Sequence, residues 1–76
     1  MIKIIIDTLE LEKIKSQVSE KIVPHIRAIN YYIDDIFIGT KFNENDIIEF
    51  TTHFGNGDKV QEVLDKYVIR YTKEEI

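Results

Sequence analysis

The hydrophobic residues of this chain change their spacing twice, and that change constrains the fold more than any other feature of the sequence. Between residues 11 and 33 they recur at steps of three and four, the spacing of one helix face. Pro24 interrupts this stripe, because proline lacks a backbone donor and clashes with the preceding helical turn. The pattern predicts two helices, about Leu9–Ile22 and Pro24–Ile33, with one kinked helix as the alternative. The stripe comprises Leu11, Ile14, Val18, Ile22, Ile26, Ile29 and Ile33.

Two other stretches alternate with a period of two, which is typical of strands. Met1–Asp7 is a short β-branched run that predicts one core strand. Asp34–Phe54 contains two further alternating runs, separated by the turn-forming residues 43–47. We therefore expect a hairpin in the middle of the chain.

The register of that hairpin follows from its apolar residues. Pairing Phe42 with Ile48 puts both apolar sets on one face and Lys41 opposite Glu49. Pairing Phe42 with Ile47 instead would separate the two sets, because a slip of one residue turns every side chain to the other face. We expect the first register, with a three-residue loop over residues 44–46.

The last part of the chain returns to helical spacing. Gly55-Asn56-Gly57 is a strong break, Asp58 is suited to a helix N-cap, and the apolar residues that follow predict a helix over about Lys59–Arg70. Thr72–Ile76 is charged and is expected to fray. The expected fold is a single α+β domain over residues 1–76, in the order β-α-α-β-β-α, with helices on one face of a three-stranded sheet.

Composition excludes several classes of function. The 76-residue chain has no cysteine, so disulfides, thiolate metal sites and cysteine nucleophiles are ruled out. His25 and His53 lack ligand spacing, and the only serines, Ser16 and Ser19, lack a catalytic motif. We expect no metal, no cofactor and no enzymatic activity. The apolar run at residues 4–6 is too short for a signal peptide or membrane span, which favours a cytoplasmic protein.

The charge is concentrated in the middle of the chain. Between Asp34 and Asp58 there are six acids and one lysine, whereas the rest of the chain is nearly neutral. Such a surface attracts basic partners and repels nucleic acid. We expect a non-catalytic protein-binding module for a basic protein, with no direct contact to nucleic acid or membrane. The residues expected to bind the partner are Tyr31, Tyr32, Asp34, Asp35, Glu44, Asp46 and Glu49.

A nucleic-acid-binding protein is the obvious class of basic partner, so the module is interpreted as an inhibitor that occupies such a protein's binding channel. Small size, acidity and the strong use of isoleucine and lysine suggest a phage or mobile-element origin. One alternative is a helix-turn-helix-like transcriptional regulator, in which Phe42–Tyr71 would be helical, although neither Gly55 nor Gly57 fits the turn position of that motif. A small structural subunit of an assembly is the other alternative.

A homodimer is expected from the apolar content. Fifteen isoleucines, four phenylalanines and four tyrosines exceed what one small sheet face can cover. Ile5, Phe37 and one of Tyr31 or Tyr32 remain after the expected core is filled, and a two-fold contact would bury them.

Overall fold

The computed structural model describes residues 1–41, 47–52 and 54–75. Six strands form one sheet in the order β2-β3-β4-β5-β1-β6, and every neighbouring pair is antiparallel. A 3-10 turn, Lys15–Gln17, precedes β2. The elements are β1 (Ile2–Asp7), α1 (Thr8–Glu12), β2 (Val18–Val23), β3 (Ala28–Ile33), β4 (Ile36–Lys41), β5 (Ile47–Thr52), α2 (Phe54–Lys66) and β6 (Thr72–Glu75).

The predicted β-α-α-β-β-α order with a three-stranded sheet is wrong. Strand is the predominant secondary structure of the described residues, which contain one helix of seven or more residues. Of the two helices expected over residues 9–33, only the first turn is present, in α1, and the hairpin of β2 and β3 occupies residues 18–33. Val18 and Ile22 are four residues apart, as are Ile29 and Ile33, and a step of four equals two strand repeats as well as about one helical turn. All four are β-branched, and that composition favours the sheet.

Pro24 forms the turn between β2 and β3 rather than the start of a helix. The Ile26 N–H donates to the Val23 carbonyl at 3.3 Å, which places Pro24 at the second position of a four-residue turn. Proline suits that position because its ring fixes φ near the value required. Arg27, with φ of 51°, turns the chain into β3.

Asp34 and Asp35 form the two-residue turn between β3 and β4. Their φ values are 51° and 64°, so both occupy the left-handed region, as a type I′ hairpin turn requires. Aspartate tolerates this conformation better than most residues. The backbone of Asp34 and Asp35 therefore forms the turn, and their side chains add two charges.

A β-bulge in β4 changes the hairpin register. Tyr31 pairs with Gly39 and Tyr32 with Phe37, so Ile38 is an extra residue, and both Ile38 and Gly39 are buried. Thr40 then pairs with Glu49, which contradicts the expected pairing of Lys41 with Glu49. The prediction assumed unbroken alternation through β4, and the extra residue shifts the second half of the strand by one.

Beyond the bulge, Gly39 faces the core and allows β4 and β5 to pack closely. A Cβ atom at Gly39 would lie 2.6 Å from Cγ2 of Ile48 and 2.9 Å from Cδ1 of Phe50. Those distances are too short for any side chain. The absence of a side chain at this position is therefore a packing requirement.

Helix α2 ends in a Schellman motif. The Ile69 N–H donates to the Leu64 carbonyl at 2.9 Å and the Val68 N–H to the Asp65 carbonyl at 3.1 Å, with Val68 at φ of 57°. Leu64 and Ile69 are both buried, which is the hydrophobic contact that accompanies this cap. The predicted helix, Lys59–Arg70, is shifted: α2 spans Phe54–Lys66, and Asp58 lies inside it rather than at its N-cap. The tail expected to fray contains β6.

The core lies between one sheet face and the helices. Leu11 of α1, and Val60 and Leu64 of α2, pack there with the inward residues of the strands. The strand residues buried in this cluster are Ile2, Ile4, Ile6, Tyr31, Ile33, Ile38, Ile48 and Phe50. We call the opposite face, which carries Ile5, Tyr32 and Glu49, the outer face of the sheet.

Candidate interaction surfaces

Acidic side chains line the solvent side of α2. Asp58, Glu62 and Asp65 are exposed and follow each other at steps of four and three, so they share one helix face over about 10 Å. The β3–β4 turn, with Asp34 and Asp35, lies at the C-terminal end of the same helix. We call these five acids the acidic ridge. Two lysines, Lys59 and Lys66, are exposed on the same helix.

Asp34 is the residue that joins the turn to the helix. Its carboxylate accepts a hydrogen bond from Lys66 Nζ at 2.9 Å and bonds from the Tyr67 hydroxyl at 2.9 and 2.8 Å. The Lys66 ammonium and the Tyr67 hydroxyl hold the pKa of Asp34 below its usual value, and Asp34 in turn raises the pKa of Lys66. Asp34 is thus bonded within the chain, although both it and the neighbouring Asp35 are exposed.

A groove of about 940 Å³ lies between α1 and the sheet. Glu20 of β2 and Tyr31 of β3 are cross-strand partners on its sheet side, and Glu12 and Lys15 lie on its other side. Tyr31 is only 7% exposed, and this burial, with the charge of Glu20, raises the pKa of its hydroxyl. The groove therefore combines an aromatic floor with charges of both signs at its margin, because Lys15 and Lys41 line it together with the carboxylates.

The outer face of the sheet carries mixed chemistry. Glu49 forms an ion pair with Lys3 at 3.2 Å. The Tyr32 ring contacts Phe37 edge-on at 5.5 Å between centroids. Lys21 Nζ lies 4.9 Å from the centroid of the Tyr32 ring. On this face Lys3 and Glu49 therefore partly neutralise each other, while Lys21 lies against an uncharged ring.

The structure distributes the residues expected to bind a partner over three surfaces. Asp34 and Asp35 belong to the acidic ridge, Tyr32 and Glu49 to the outer face, and Tyr31 to the groove. Glu44 and Asp46 lie outside the described residues. The sequence analysis missed the helix face of Glu62 and Asp65, although their spacing along a predicted helix was visible, and it missed the bonds of Asp34 to Lys66 and Tyr67 near the end of that helix. Those bonds depend on tertiary structure alone.

Neither a metal site in the described residues nor a related protein indicates what this chain binds. Within residues 1–41, 47–52 and 54–75, no group of three or more metal-ligating side chains converges. The helices in those same ranges include none that is both long and apolar enough to cross a bilayer. No protein-family model, curated protein or solved structure matches the chain.

Proposed function

We propose that this protein is a non-catalytic protein-binding module whose acidic ridge engages a basic partner. The observation that carries the proposal is the exposed helix face of Asp58, Glu62 and Asp65, with the Asp34-Asp35 turn bonded to the C-terminal end of the same helix through Lys66. Five carboxylates are accompanied there by two lysines, and one of these, Lys66, is already bonded to Asp34. The ridge therefore keeps a net negative charge that a partner can neutralise.

The chemistry of such a surface favours one class of partner. A row of carboxylates raises the rate of encounter with a basic surface and repels both nucleic acid and anionic membranes. A nucleic-acid-binding protein presents the extended basic surface that matches the ridge. In the proposed mechanism, the module occupies that surface and so inhibits binding of nucleic acid. Its origin in a phage or mobile element stays a prediction from composition, as does its cytoplasmic location.

The two alternatives from the sequence receive less support. A helix-turn-helix reading requires residues 44–54 to be helical, but Ile47–Thr52 forms strand β5 between β4 and β1. No feature of the described surface favours a structural subunit over a binding module. We therefore retain the binding module alone.

The test is capture of a partner from an extract of the native host, with three immobilised baits. The first is the wild-type chain, and the second carries Asp58→Lys and Glu62→Lys on the ridge. The third carries Glu74→Lys and Glu75→Lys on β6, which change the net charge equally away from the ridge. We expect a basic protein on the first and third baits, absent from the second, and released as salt is raised well above 0.15 M, where screening shortens the Debye length below about 8 Å.

Two results would contradict the proposal. One is a captured protein that is neutral or acidic. The other is equal retention on the ridge variant and the β6 variant, which would remove the ridge from the interaction.

A further inference from the structure

The sheet has two edge strands, and they differ in how they resist further pairing. An edge strand exposes backbone N–H and C=O groups that another chain can use. Strand β6 is four residues long, fully exposed, and carries Lys73, Glu74 and Glu75, which is a common protection of edges. Strand β2 is six residues long and, among the described residues, pairs only with β3.

The side chains of β2 leave its edge accessible. Its four central residues are exposed, and Ile22 is 74% exposed although it is a large apolar residue. Lys21 is directed to the outer face, where it contacts the Tyr32 ring. Only Glu20 presents a charge on the groove face of this strand.

The groove reaches this edge, because Val18 and Glu20 of β2 line it together with Glu12 and Tyr31. Side chains alternate along a strand, so a strand added beside β2 would direct every second side chain to the groove face. There it would meet Val18, Glu20 and Ile22 in succession. Within the described part of the chain, neither Glu12 nor Glu20 has an ion-pair partner.

We propose that β2 is a docking site for strand addition by an extended segment of another protein. The segment pairs with β2 through its backbone. Three alternate side chains of the segment, in the order apolar, basic and apolar, lie on the groove face. The basic side chain lies between Glu12 and Glu20, and the apolar ones cover Val18 and Ile22. Backbone pairing supplies most of the affinity and the alternate side chains supply specificity. This surface shares no residue with the acidic ridge, so the inference does not depend on the function proposed above.

A second copy of this chain fits the same edge poorly. Two-fold pairing of antiparallel strands requires equivalent residues to meet at the axis. The two registers that pair the most residues of β2 place either two copies of Glu20 or two copies of Lys21 directly opposite each other. Like charges directly opposite are destabilising in an antiparallel pair. The charge pattern thus favours a foreign segment over self-pairing.

The test uses a capped synthetic peptide, valine-threonine-lysine-threonine-valine, which reads the same in both directions and so suits either strand orientation. Its binding to the whole protein is followed by amide chemical shifts. A second peptide carries an N-methyl group on every amide, which removes all its backbone donors while keeping every side chain. We expect shifts in β2 and the groove with the first peptide, and loss of binding with the N-methylated one.

Substitutions then test the side-chain part of the site. Glu20→Lys should weaken peptide binding roughly tenfold and Glu20→Gln roughly threefold, since reversal replaces attraction by repulsion across one cross-strand pair. The ridge variant with Asp58→Lys and Glu62→Lys should bind the peptide as the wild type does, whatever its effect on the basic partner.

Three outcomes would overturn the inference. Undiminished binding of the N-methylated peptide would exclude backbone pairing. Shifts confined to the ridge would show that the lysine alone directs the peptide. Dimerisation in which the amide shifts of β2 change with protein concentration would assign the edge to a second copy.

Discussion

Val68 is the residue whose side chain suits its backbone conformation least. It is β-branched, its φ is 57°, and it is 82% exposed, so burial offers little compensation. Left-handed backbone costs a residue with a Cβ about 1–2 kcal/mol. The Schellman hydrogen bonds at the end of α2 hold it there.

Replacing Val68 with glycine should therefore stabilise the protein. We expect Val68→Gly to raise the free energy of unfolding by about 1 kcal/mol, since glycine adopts this conformation without steric cost but is freer when unfolded. Urea denaturation measures the change. Glu62→Gly, at an exposed position inside the same helix, is the control and should lower stability by about 1 kcal/mol. A loss of stability in Val68→Gly would mean that the valine side chain stabilises the folded protein despite its exposure.

Gly39 should tolerate no added methyl group. Gly39→Ala forces a Cβ against Ile48 and Phe50, at 2.6 and 2.9 Å, and overpacking of this kind costs about 1–3 kcal/mol. The loss is measured by thermal or urea unfolding. Because the clash is with Ile48, the double variant Gly39→Ala, Ile48→Ala should cost less than the sum of the two single changes. Strict additivity would show that β4 and β5 are not in close contact here.

The carboxyl of Asp34 makes stability depend on pH in the acid range. Its pKa is lowered in the folded protein by the Lys66 ammonium and then by the Tyr67 hydroxyl. A lowered pKa means that the stabilisation is present above the unfolded value and is lost as pH falls through the folded value. We expect the stability difference between wild type and Asp34→Asn to shrink over that interval, because asparagine keeps the turn conformation but lacks the charge.

Carboxyl carbon shifts give the pKa of Asp34 directly, and Lys66→Met is the matched change on the other partner. It should return the pKa of Asp34 towards its ordinary value. A pKa that does not change in this variant would show that the bond to Lys66 does not persist in solution.

At the scale of elements, the sequence predicted those with unambiguous spacing. The strand over residues 1–7 is confirmed as β1, and alternation also identified residues in β4 and β5. The β2–β3 hairpin was missed because a step of four residues is common to a helix face and a strand face. The central residues of β2 are all exposed, so its sequence lacks the alternation of apolar and polar residues that would have distinguished a strand from a helix.

The candidate surfaces were only partly predictable for a similar reason. The acids at Asp34 and Asp35 were identified, but not their left-handed turn or the contact of Asp34 with α2. That contact joins residues 32 positions apart in sequence, and no local pattern encodes it. The bulge in β4 had one local sign, a glycine within an alternating strand, which commonly marks such a site.

At the scale of the whole molecule, the expected homodimer stays a prediction. Ile5, Phe37 and Tyr32 lie on the outer face, whereas Tyr31 faces the core. Strand β5 separates β1 from β4 and places Glu49 between the apolar residues. We therefore expect weak self-association through this face, detectable by sedimentation only at high protein concentration.

Phe37→Lys should abolish that association, while Lys73→Glu on the edge strand β6 should leave it unchanged. A chain that sediments as a 9.0 kDa species at every concentration would exclude the dimer.

The position of β1 in the sheet determines the order in which the protein can fold. Strands β2 to β5 follow one another as hairpins, whose short loops close rapidly. Strand β1, although first in sequence, pairs Ile2 with Thr52 and with Glu75, so its place becomes available only after the later strands have formed. Pairings between residues far apart in sequence slow folding, because the chain loses the entropy of closing a long loop before the contacts that offset this loss can form. During synthesis, the apolar residues of β1 therefore remain unshielded until nearly the whole domain has left the ribosome.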